Sequence, residues 1–377
     1  MKLTVKPVQS KKDFKRFISF PDSLYKDCPY YAPALRTDET ATFDRRKNAA
    51  FEFCESECFL AEDGEGKVVG RVAAIINRKA NETWGKKEVR YGWIDFIDDR
   101  AVSRALVEEV AKWGRERGME EIAGPLGFTD FDPEGLLVEG FDRLATMACR
   151  YHYPYYKEHL EAIGLTKVID WLEFRIHVPE ILPERLTRIA EIVRTKNNLH
   201  YRKVTHKAIK EEKLGHKFFN LINETYCVLY GFSKLSDRQI DQYVKTWLQV
   251  VDLEMVSFIE NEAGELVAAG VTMPSMSKAL QKSGGKLFPF GWFHILRSMY
   301  FKRDDTMDLL LVAVKPEYQN KGVNSMLFAD LFSRVSKLGF KYAESNAELE
   351  TNTKVQGMWD GFEYEQHKRR RVYGRKL

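Results

Sequence analysis

The same succession of elements is predicted twice along the chain. In the first half, residues 57–77 read as a hairpin, residues 91–99 as a strand and residues 100–119 as a helix followed by a short strand. In the second half, the hairpin at 255–273 and the strand–helix–strand stretch at 307–349 repeat this order. Two strands separated by a helix predict a parallel pair with a right-handed crossover, and therefore a mixed α/β sheet in each half.

The repeated order favours a tandem duplication, although one large α/β domain with an internal helix is the alternative. The predicted domains are residues 1–178 and 207–377. Residues 179–206 are the predicted linker, because they combine two prolines, a helical stretch and a polar turn.

Composition excludes several other classes of protein. Apolar residues make up 44% and charged residues 30% of the 377 residues, which is typical of a globular protein. The net charge of +4 is too small to predict nucleic-acid binding, and no stretch has the pattern of a membrane span or a secretory signal. Five scattered cysteines predict neither a disulfide framework nor a zinc site, and they favour a cytoplasmic location.

The most informative local pattern is the turn at residues 319–324, between the last apolar strand and its helix. The first N–H groups of a helix have no partner within it and carry a partial positive charge. Gly322 permits close approach of a ligand, Lys321 adds a full charge, and Asn324 is a good helix-start residue. The turn therefore predicts a site for an anion such as phosphate, with an ordinary polar loop as the alternative.

This turn resembles the pyrophosphate loop of the GNAT superfamily of acyl-CoA N-acyltransferases, Gln/Arg-x-x-Gly-x-Gly/Ala. Gln319 and Gly322 match the loop, whereas Asn324 departs from it. Residues 350–373 are similar to the end of a tandem GNAT-like subgroup. The resemblance, which is firmest for residues 210–377, implies an α/β fold of two tandem GNAT-like domains. Each domain would have a mixed, strongly twisted sheet flanked by helices.

The resemblance also implies that the second half binds acetyl-CoA or a longer acyl-CoA and transfers the acyl group to a small-molecule primary amine. The pantetheine arm would lie along strand 309–314, and the thioester would lie where strands 308–314 and 340–349 separate, with a backbone N–H near Val314 stabilising the oxyanion. No metal is implied. The implied coenzyme-binding residues are Val312, Val314, Gln319, Asn320, Lys321, Gly322, Val323, Asn324 and Ser325.

The first half lacks the residues of such a turn. Asp98, Asp99 and Arg100 occupy the corresponding position without a glycine, and two carboxylates there would repel a diphosphate. We therefore expect this degenerate half to bind no coenzyme A and to shape the acceptor site or support the fold.

Transfer to an amine needs a base, because the ammonium form is not nucleophilic. Glu344 and Glu350, together with Asn352, are the candidates, and capping of the helix that begins near residue 351 is the alternative role. If the strand alternates regularly, Glu344, Asn346 and Glu348 share one face.

The general acid is less well defined. Many members of the superfamily protonate the departing thiolate with a tyrosine, but the corresponding residue here is Gly357. Tyr373 is a weaker candidate, and a thiolate can also leave without an acid.

Three residues are candidates for binding the acceptor. Tyr226 and Tyr230 lie in a segment that covers the acceptor in GNAT folds, and Arg371 belongs to the basic run 367–371. For that run, a solvated edge strand is the favoured interpretation, and binding of an acidic acceptor or the coenzyme 3′-phosphate is the alternative. The aromatic stretch 286–301 is interpreted as a helix packed into the core, with an apolar wall for a long acyl chain or lipid amine as the alternative.

Two other functions stay open at this point. A tRNA-dependent aminoacyl transferase of tandem GNAT type would have a long helical arm and a broad basic groove, and the sequence indicates neither. A non-catalytic binding protein for acyl-CoA or another small molecule is compatible with the missing tyrosine. The amine, the acyl length and the oligomeric state do not follow from the sequence.

Overall fold

The computed structural model describes residues 2–247, 251–301 and 304–377. The chain forms two compact units, here called unit 1 (Met1–Leu172, Met276–Met299 and His367–Leu377) and unit 2 (Glu173–Ser275 and Tyr300–Gln366). These units are defined by contacts, whereas the domains at 1–178 and 207–377 were inferred from a repeated order of elements. The predicted domain bounds therefore stay a prediction.

Unit 1 contains a mixed sheet with helices packed against it. The elements are β1 (Thr4–Pro7), α1 (Lys11–Leu24), α2 (Arg36–Thr42), β2 (Cys54–Glu62), β3 (Val68–Asn77), α3 (Arg78–Trp84), β4 (Glu88–Phe96), α4 (Arg100–Arg115), β5 (Glu121–Gly124), β6 (Leu136–Glu139), α5 (Tyr155–Ala162), β7 (Thr166–His177), α10 (Ser277–Ser283), α11 (Gly291–Leu296) and β14 (Tyr364–Lys376). The strand order in this unit is β1-β2-β3-β4-β5-β14, and β6 pairs with β14. Two strands change unit along their length: β7 begins in unit 1 and β14 ends in it.

The crossover predicted in the first half is confirmed. Strands β4 and β5 pair in parallel, and α4 connects them. Val102, Leu106, Val110 and Trp113 recur at helical spacing along α4 and are all buried, which explains why this helix packs on the sheet.

The solvated edge strand predicted for residues 367–371 is wrong. Strand β14 lies between β5 and β7 in the sheet, and Lys368 and Arg370 are only 1% and 0% exposed. A run of basic residues indicates solvent only when no acid is buried beside it, and the buried carboxylate of Asp170 lies on β7.

Asp170 binds the two arginines on one side of β14. Arg369 and Arg371 share one side of the strand, as predicted, and both donate to the Asp170 carboxylate, at 3.2 and 2.7 Å respectively. Burial tends to raise the pKa of Asp170, but hydrogen bonds from Arg371 and Lys167 outweigh it, so the pKa lies below its usual value. The carboxylate is therefore ionised, and it offsets the charge of the arginines.

We expect Asp170→Ala to lower the free energy of unfolding by about 3 kcal/mol, because two arginines lose their buried acceptor. Urea unfolding measures the change. Lys167→Ala is the control: its half-exposed amine also reaches Asp170, at 3.1 Å, and its loss should cost less than about 1 kcal/mol. Equal losses in the two variants would contradict the role given to the buried carboxylate.

Unit 2 contains a further set of mixed strands with its own helices. Its elements are α6 (Glu184–Lys196), β8 (His200–Arg202), α7 (His206–Glu211), α8 (Leu214–Tyr226), α9 (Asp237–Trp247), β9 (Val256–Glu260), β10 (Leu266–Pro274), β11 (Thr306–Val314), α12 (Val323–Lys337), β12 (Tyr342–Ser345), β13 (Glu348–Leu349) and α13 (Thr353–Gln356). The strand order is β8-β9-β10-β11-β12, followed by the end of β7, with which β13 also pairs.

The crossover predicted in the second half is also confirmed. Strands β11 and β12 pair in parallel, and α12 connects them. Met326, Leu331 and Val335 are among the buried residues of α12. This helix packs on β9, β10 and α6, so the predicted linker stretch contributes a packed helix to unit 2.

The core packing predicted for residues 286–301 is wrong. Residues 291–296 do form a helix, α11, but the large apolar side chains around it are exposed. This short helix carries apolar side chains on every side, and neighbouring elements can cover only one side of it. No helix in the described ranges combines the length and apolar character needed to cross a bilayer.

Candidate active site

In unit 2 the chain passes from β11 to α12 through a tightly bonded turn. A 3₁₀ turn, Pro316–Tyr318, follows the strand, and then Asn320 and Gly322 adopt positive φ angles of 60° and 78°. The Gln319 side chain stabilises this path because its Nε2 donates to the Val314 carbonyl at 3.0 Å. Gln319 and Val314, two of the predicted coenzyme-binding residues, are therefore hydrogen-bonded to each other.

The backbone N–H groups of residues 320–324 are the groups that can bind an anion here. Helix α12 has no side-chain cap, and no acceptor for these five N–H groups is found among the described residues. Ser325 differs, because its N–H donates to the Gly322 carbonyl at 2.9 Å. Lys321 supplies a cation nearby, with its Nζ 5.1 Å from the Tyr318 ring centre. Open amides and a lysine together suit a diphosphate.

The corresponding helix of unit 1 begins differently. Asp99 is the N-cap of α4, and its carboxylate accepts the Ala101 N–H at 2.7 Å. The neighbouring Asp98 lies 2.9 Å from His159 Nε2. The carboxylates of Asp98 and Asp99 thus occupy the start of α4, where an anionic ligand would otherwise bind. Absence of coenzyme binding in the first half stays a prediction, and this arrangement gives its physical basis.

Gly322 is restricted both by its backbone and by its neighbours. Its φ of 78° is one that residues with a side chain rarely adopt, and an added Cβ would lie 3.1 Å from Val193 Cγ2 on α6. A larger residue must therefore move the turn, and with it the open N–H groups.

We expect Gly322→Ala to weaken coenzyme A binding about tenfold or more, as measured by isothermal titration. Gly339→Ala is the matched control. Gly339 follows the other end of α12 with a φ of 88°, and a Cβ there meets no atom within 4 Å. It carries a similar backbone strain but lies away from the turn, so its affinity should equal that of the wild type. Equal weakening in both variants would argue against binding at the turn.

Strands β11 and β12 separate beyond Leu309. Their parallel pairing ends at the Leu309–Ser345 partners, and the register of β11 against β10 shifts at the same level. Asn346 then bridges the gap, because its Nδ2 donates to the Leu310 carbonyl at 3.1 Å. The separation expected between strands 308–314 and 340–349 therefore begins at this point, and β11 continues to Val314 without β12 beside it.

Tyr226 reaches β11 beyond the point of separation. It is the last residue of α8, and its hydroxyl donates to the Val312 carbonyl at 3.0 Å. Burial raises the pKa of Tyr226 to about 12, so the hydroxyl is protonated at neutral pH and can donate a hydrogen bond. Tyr230 follows in a turn and is half-buried. A role of these tyrosines in binding the acceptor stays a prediction.

Glu348 on β13 has the most unusual carboxyl environment in this region. Its Oε1 accepts the Trp359 indole N–H at 3.2 Å, and its Oε2 is buried with no hydrogen-bond partner among the described residues. Burial raises the pKa of Glu348 to about 8, and hydrogen bonds from Trp359 and Ser345 offset this only in part. The carboxylate also contributes to the raised pKa of Tyr226, so the two groups interact. A carboxyl that titrates near neutral pH is suited to proton transfer.

Glu348 is not among the base residues predicted from the sequence. Regular alternation predicted Glu344, Asn346 and Glu348 on one face of a continuous strand, but β12 ends at Ser345 and the next strand begins only at Glu348. The burial that sets its pKa comes from tertiary packing, including Trp359 in the following turn. A buried glutamate beside a tryptophan has no periodic signal in the sequence.

The other predicted carboxylate and amide candidates lie in different settings. Glu344 is half-buried and faces Asp308 and Arg175 in the registers of its two neighbouring strands. Glu350 is half-buried in the turn after β13. Asn352 is the N-cap residue of α13, but its side chain makes no capping hydrogen bond. Their catalytic roles stay predictions.

Tyr373 and Arg371 lie on the part of β14 that belongs to unit 1. The Tyr373 hydroxyl donates to Glu161 Oε1 at 3.0 Å, and the Arg371 guanidinium holds Asp170. Glu348 and Tyr226, in contrast, belong to unit 2. An acid role for Tyr373 and acceptor binding by Arg371 stay predictions.

The raised pKa of Glu348 has a consequence for stability. In the unfolded chain this group loses its proton near the ordinary value of 4.5, whereas in the folded chain it keeps the proton up to about pH 8. The folded state therefore binds more protons between these values, and its stability falls as the pH rises through them. We expect Glu348→Gln to be about 2–4 kcal/mol more stable than wild type at about pH 8, and no more stable at about pH 4.

Urea unfolding at the two pH values tests this expectation. Glu350→Gln makes the same chemical change two residues away and should show no gain that depends on pH in this way. A Glu348→Gln variant that is destabilised equally at both pH values would contradict the raised pKa.

Known proteins resemble the chain in both sequence and structure. No protein-family model matches it. It is 28% identical to the bacterial ceramide synthase of Caulobacter vibrioides, over 100% of this chain and 98% of that one, and 27% identical to Protein YghO of Escherichia coli, over 99% and 95%. A tandem GNAT protein from the clavulanic acid biosynthesis pathway superposes with a TM-score of 0.56 at 11% identity, covering 100% and 98% of the two chains. A structural likeness at this identity establishes a shared fold.

Proposed function

Because the chain has the tandem GNAT fold predicted from its sequence, we propose that it is an acyl-CoA-dependent N-acyltransferase whose acceptor is a long-chain primary amine. One observation carries the proposal. The open N–H groups of residues 320–324 follow directly on β11, the strand whose Val312 carbonyl accepts the Tyr226 hydroxyl. A site for a diphosphate and a site with titratable groups are thus joined by one strand.

The residues of unit 2 fit an acyl-CoA. The amides of the turn and the Lys321 ammonium are donors for the diphosphate. From Leu310 onward β11 has no β12 residue beside it, so the amide-bearing arm of the coenzyme can pair with this edge of the strand instead. Acyl-CoA supplies an activated thioester carbonyl. The chain's own part is to bind it, to orient the amine and to move the protons.

We assign the base to Glu348. Its Oε2 is buried without a hydrogen-bond partner among the described residues, so that atom can accept a proton from the acceptor ammonium. The Tyr226 hydroxyl, which is protonated at neutral pH, is the proposed hydrogen-bond donor to the departing thiolate, in the place of the missing helix tyrosine. The thiolate leaves with the electron pair of the broken C–S bond and takes its proton from solvent. Glu344 and Glu350, with Asn352, are the alternative base residues, and Tyr373 is the alternative acid.

Two features support a long-chain amine as the acceptor. A relative that is 28% identical is named bacterial ceramide synthase, and a ceramide is the N-acyl derivative of a long-chain amino alcohol. Unit 2 also has a cavity of about 60 Å³ lined by apolar side chains, among them Phe218 of α8 and Val271 of β10. Phe218 and Tyr226 lie eight residues apart on α8, about 12 Å along the helix axis, so an acceptor that reached from the cavity to Tyr226 would need a chain of about that length.

A direct assay tests the proposed reaction. The purified protein is incubated with palmitoyl-CoA or acetyl-CoA and with a panel of amines: a long-chain 2-amino-1,3-diol, an amino sugar and an amino acid. Mass spectrometry of the products should find an N-acyl derivative of the long-chain amine, with release of one free thiol per amide. Formation of amide only from aminoacyl-tRNA, or binding of acyl-CoA without any product, would support the other two functions instead.

A cytoplasmic location is part of the proposal.

Kinetics of matched variants test the assignment of the base. We expect Glu348→Gln to lower kcat about 100-fold with little change in the KM for acyl-CoA, and the wild-type kcat to rise with pH up to about pH 8, because the deprotonated carboxylate is the active form. Glu344→Gln and Glu350→Gln are the comparison variants. A full loss in one of them, with Glu348→Gln retaining activity, would move the base to that residue.

A further inference from the structure

Unit 1 exposes a group of large apolar side chains, here called the aromatic surface. Its members are Phe288, Phe290, Trp292, Phe293 and Leu296, which are 77%, 73%, 45%, 50% and 42% exposed. Single exposed apolar residues are ordinary, but five within nine residues form a patch of the kind that meets a partner.

The exposure is fixed by bonds at the base of the segment. Helix α10 precedes α11 and packs against it. The Gln281 side chain of α10 donates to the carbonyl groups of Pro29 and Tyr31, at 2.8 and 2.9 Å, and the Arg36 N–H donates to the Gly285 carbonyl at 3.0 Å. These contacts hold one end of the segment on unit 1, so the rings beyond it are presented outward.

The two N–H groups of Trp292 are also satisfied locally. The Trp292 indole N–H donates to the Pro289 carbonyl at 3.0 Å, and Trp292 N–H donates to the Leu287 carbonyl at 2.8 Å. The indole and its backbone can therefore enter an apolar environment without losing a hydrogen bond to water.

Charge identifies the partner. Residues 276–301 contain four lysines and arginines and no aspartate or glutamate, and Lys278, Lys282, Lys286 and Arg297 are all exposed. Aromatic and aliphatic side chains with basic residues around them match the interface of an anionic bilayer, where rings enter the headgroup boundary and ammonium groups meet phosphates. Symmetric pairing of two copies through this surface would instead bring the four cations of each copy together.

We propose that the aromatic surface docks this protein on the surface of an anionic lipid bilayer. Phe288, Phe290 and Phe293 enter the headgroup boundary, and Lys282 and Lys286 contact lipid phosphates. This goes beyond the proposed acyl transfer and does not depend on it. A long-chain amine partitions into bilayers, so docking would bring the two together.

Vesicle sedimentation tests the proposal, without acyl-CoA or amine present. The probe is a set of vesicles of phosphatidylcholine with about one-third phosphatidylglycerol, compared with phosphatidylcholine alone. Wild-type protein should bind the anionic vesicles more strongly, and Phe288→Ser/Phe290→Ser/Phe293→Ser should reduce the partition coefficient about tenfold or more. Lys282→Glu/Lys286→Glu should reduce it only on the anionic vesicles.

Ile181→Ser/Val228→Ser is the matched control. Both are strongly exposed apolar residues, at 86% and 76%, and they belong to unit 2, so their replacement should leave vesicle binding unchanged. Circular dichroism verifies that each variant is folded. Wild-type binding in the triple serine variant, or an equal loss in the control, would overturn the proposal.

Sedimentation velocity without lipid gives the remaining outcome. A wild-type dimer that the triple serine variant converts to a monomer, together with no vesicle binding, would make the surface an interface between copies and would also overturn the proposal. Since neither assay contains acyl-CoA, a failure of docking leaves the proposed acyl transfer untouched, and a failure of catalysis leaves docking untouched.

Discussion

Each unit depends on one pair of parallel strands joined by a helix, and this connection creates a set of backbone donors with no partner inside the helix. The chain deals with these donors in two ways. At α4 it supplies its own carboxylate, Asp99, which accepts the Ala101 N–H. At α12 it supplies a glycine and a lysine, and the N–H groups of residues 320–324 have no acceptor in the part of the chain that the structure describes. The same architectural requirement therefore yields a closed helix start in one unit and an open one in the other.

The open turn is of use only because β11 continues past its partner. Pairing with β12 ends at Leu309, and the strand then carries Val312, which accepts the Tyr226 hydroxyl, up to the turn. Close by, Glu348 keeps a buried carboxyl oxygen without a hydrogen bond among the described residues. Burial of this group works against stability at neutral pH, and a fold under selection for stability alone would favour glutamine there. A buried carboxyl that lowers stability is expected where the side chain takes part in catalysis.

Periodic features of the sequence predicted the periodic parts of the structure. The spacing of Val102, Leu106 and Val110 gave α4, and the two hairpins predicted at 57–77 and 255–273 gave the antiparallel strands beside each crossover. The turn at 319–324 followed from residue types that have direct backbone consequences. Interactions between distant residues were not accessible in this way. The position of Arg370 in the middle of a sheet depends on partners more than 200 residues away, such as the Arg150 carbonyl, and the pKa of Glu348 depends on packing. The aromatic segment was misjudged because spacing describes a helix but does not say what covers it.

Strand β14 has a further consequence for how the protein is made. In unit 1, Tyr373 of β14 pairs with Gly124 of β5, so that the neighbour of β5 is synthesised long after β5 itself. Until then β5 has an open hydrogen-bonding edge, which is the kind of edge that pairs with other chains. Contacts so distant in sequence also slow folding, because a long loop must close before they form. A nascent chain therefore keeps this edge of β5 open until its last residues are made, and a fragment cut after residue 178 would lack a strand from the interior of its sheet.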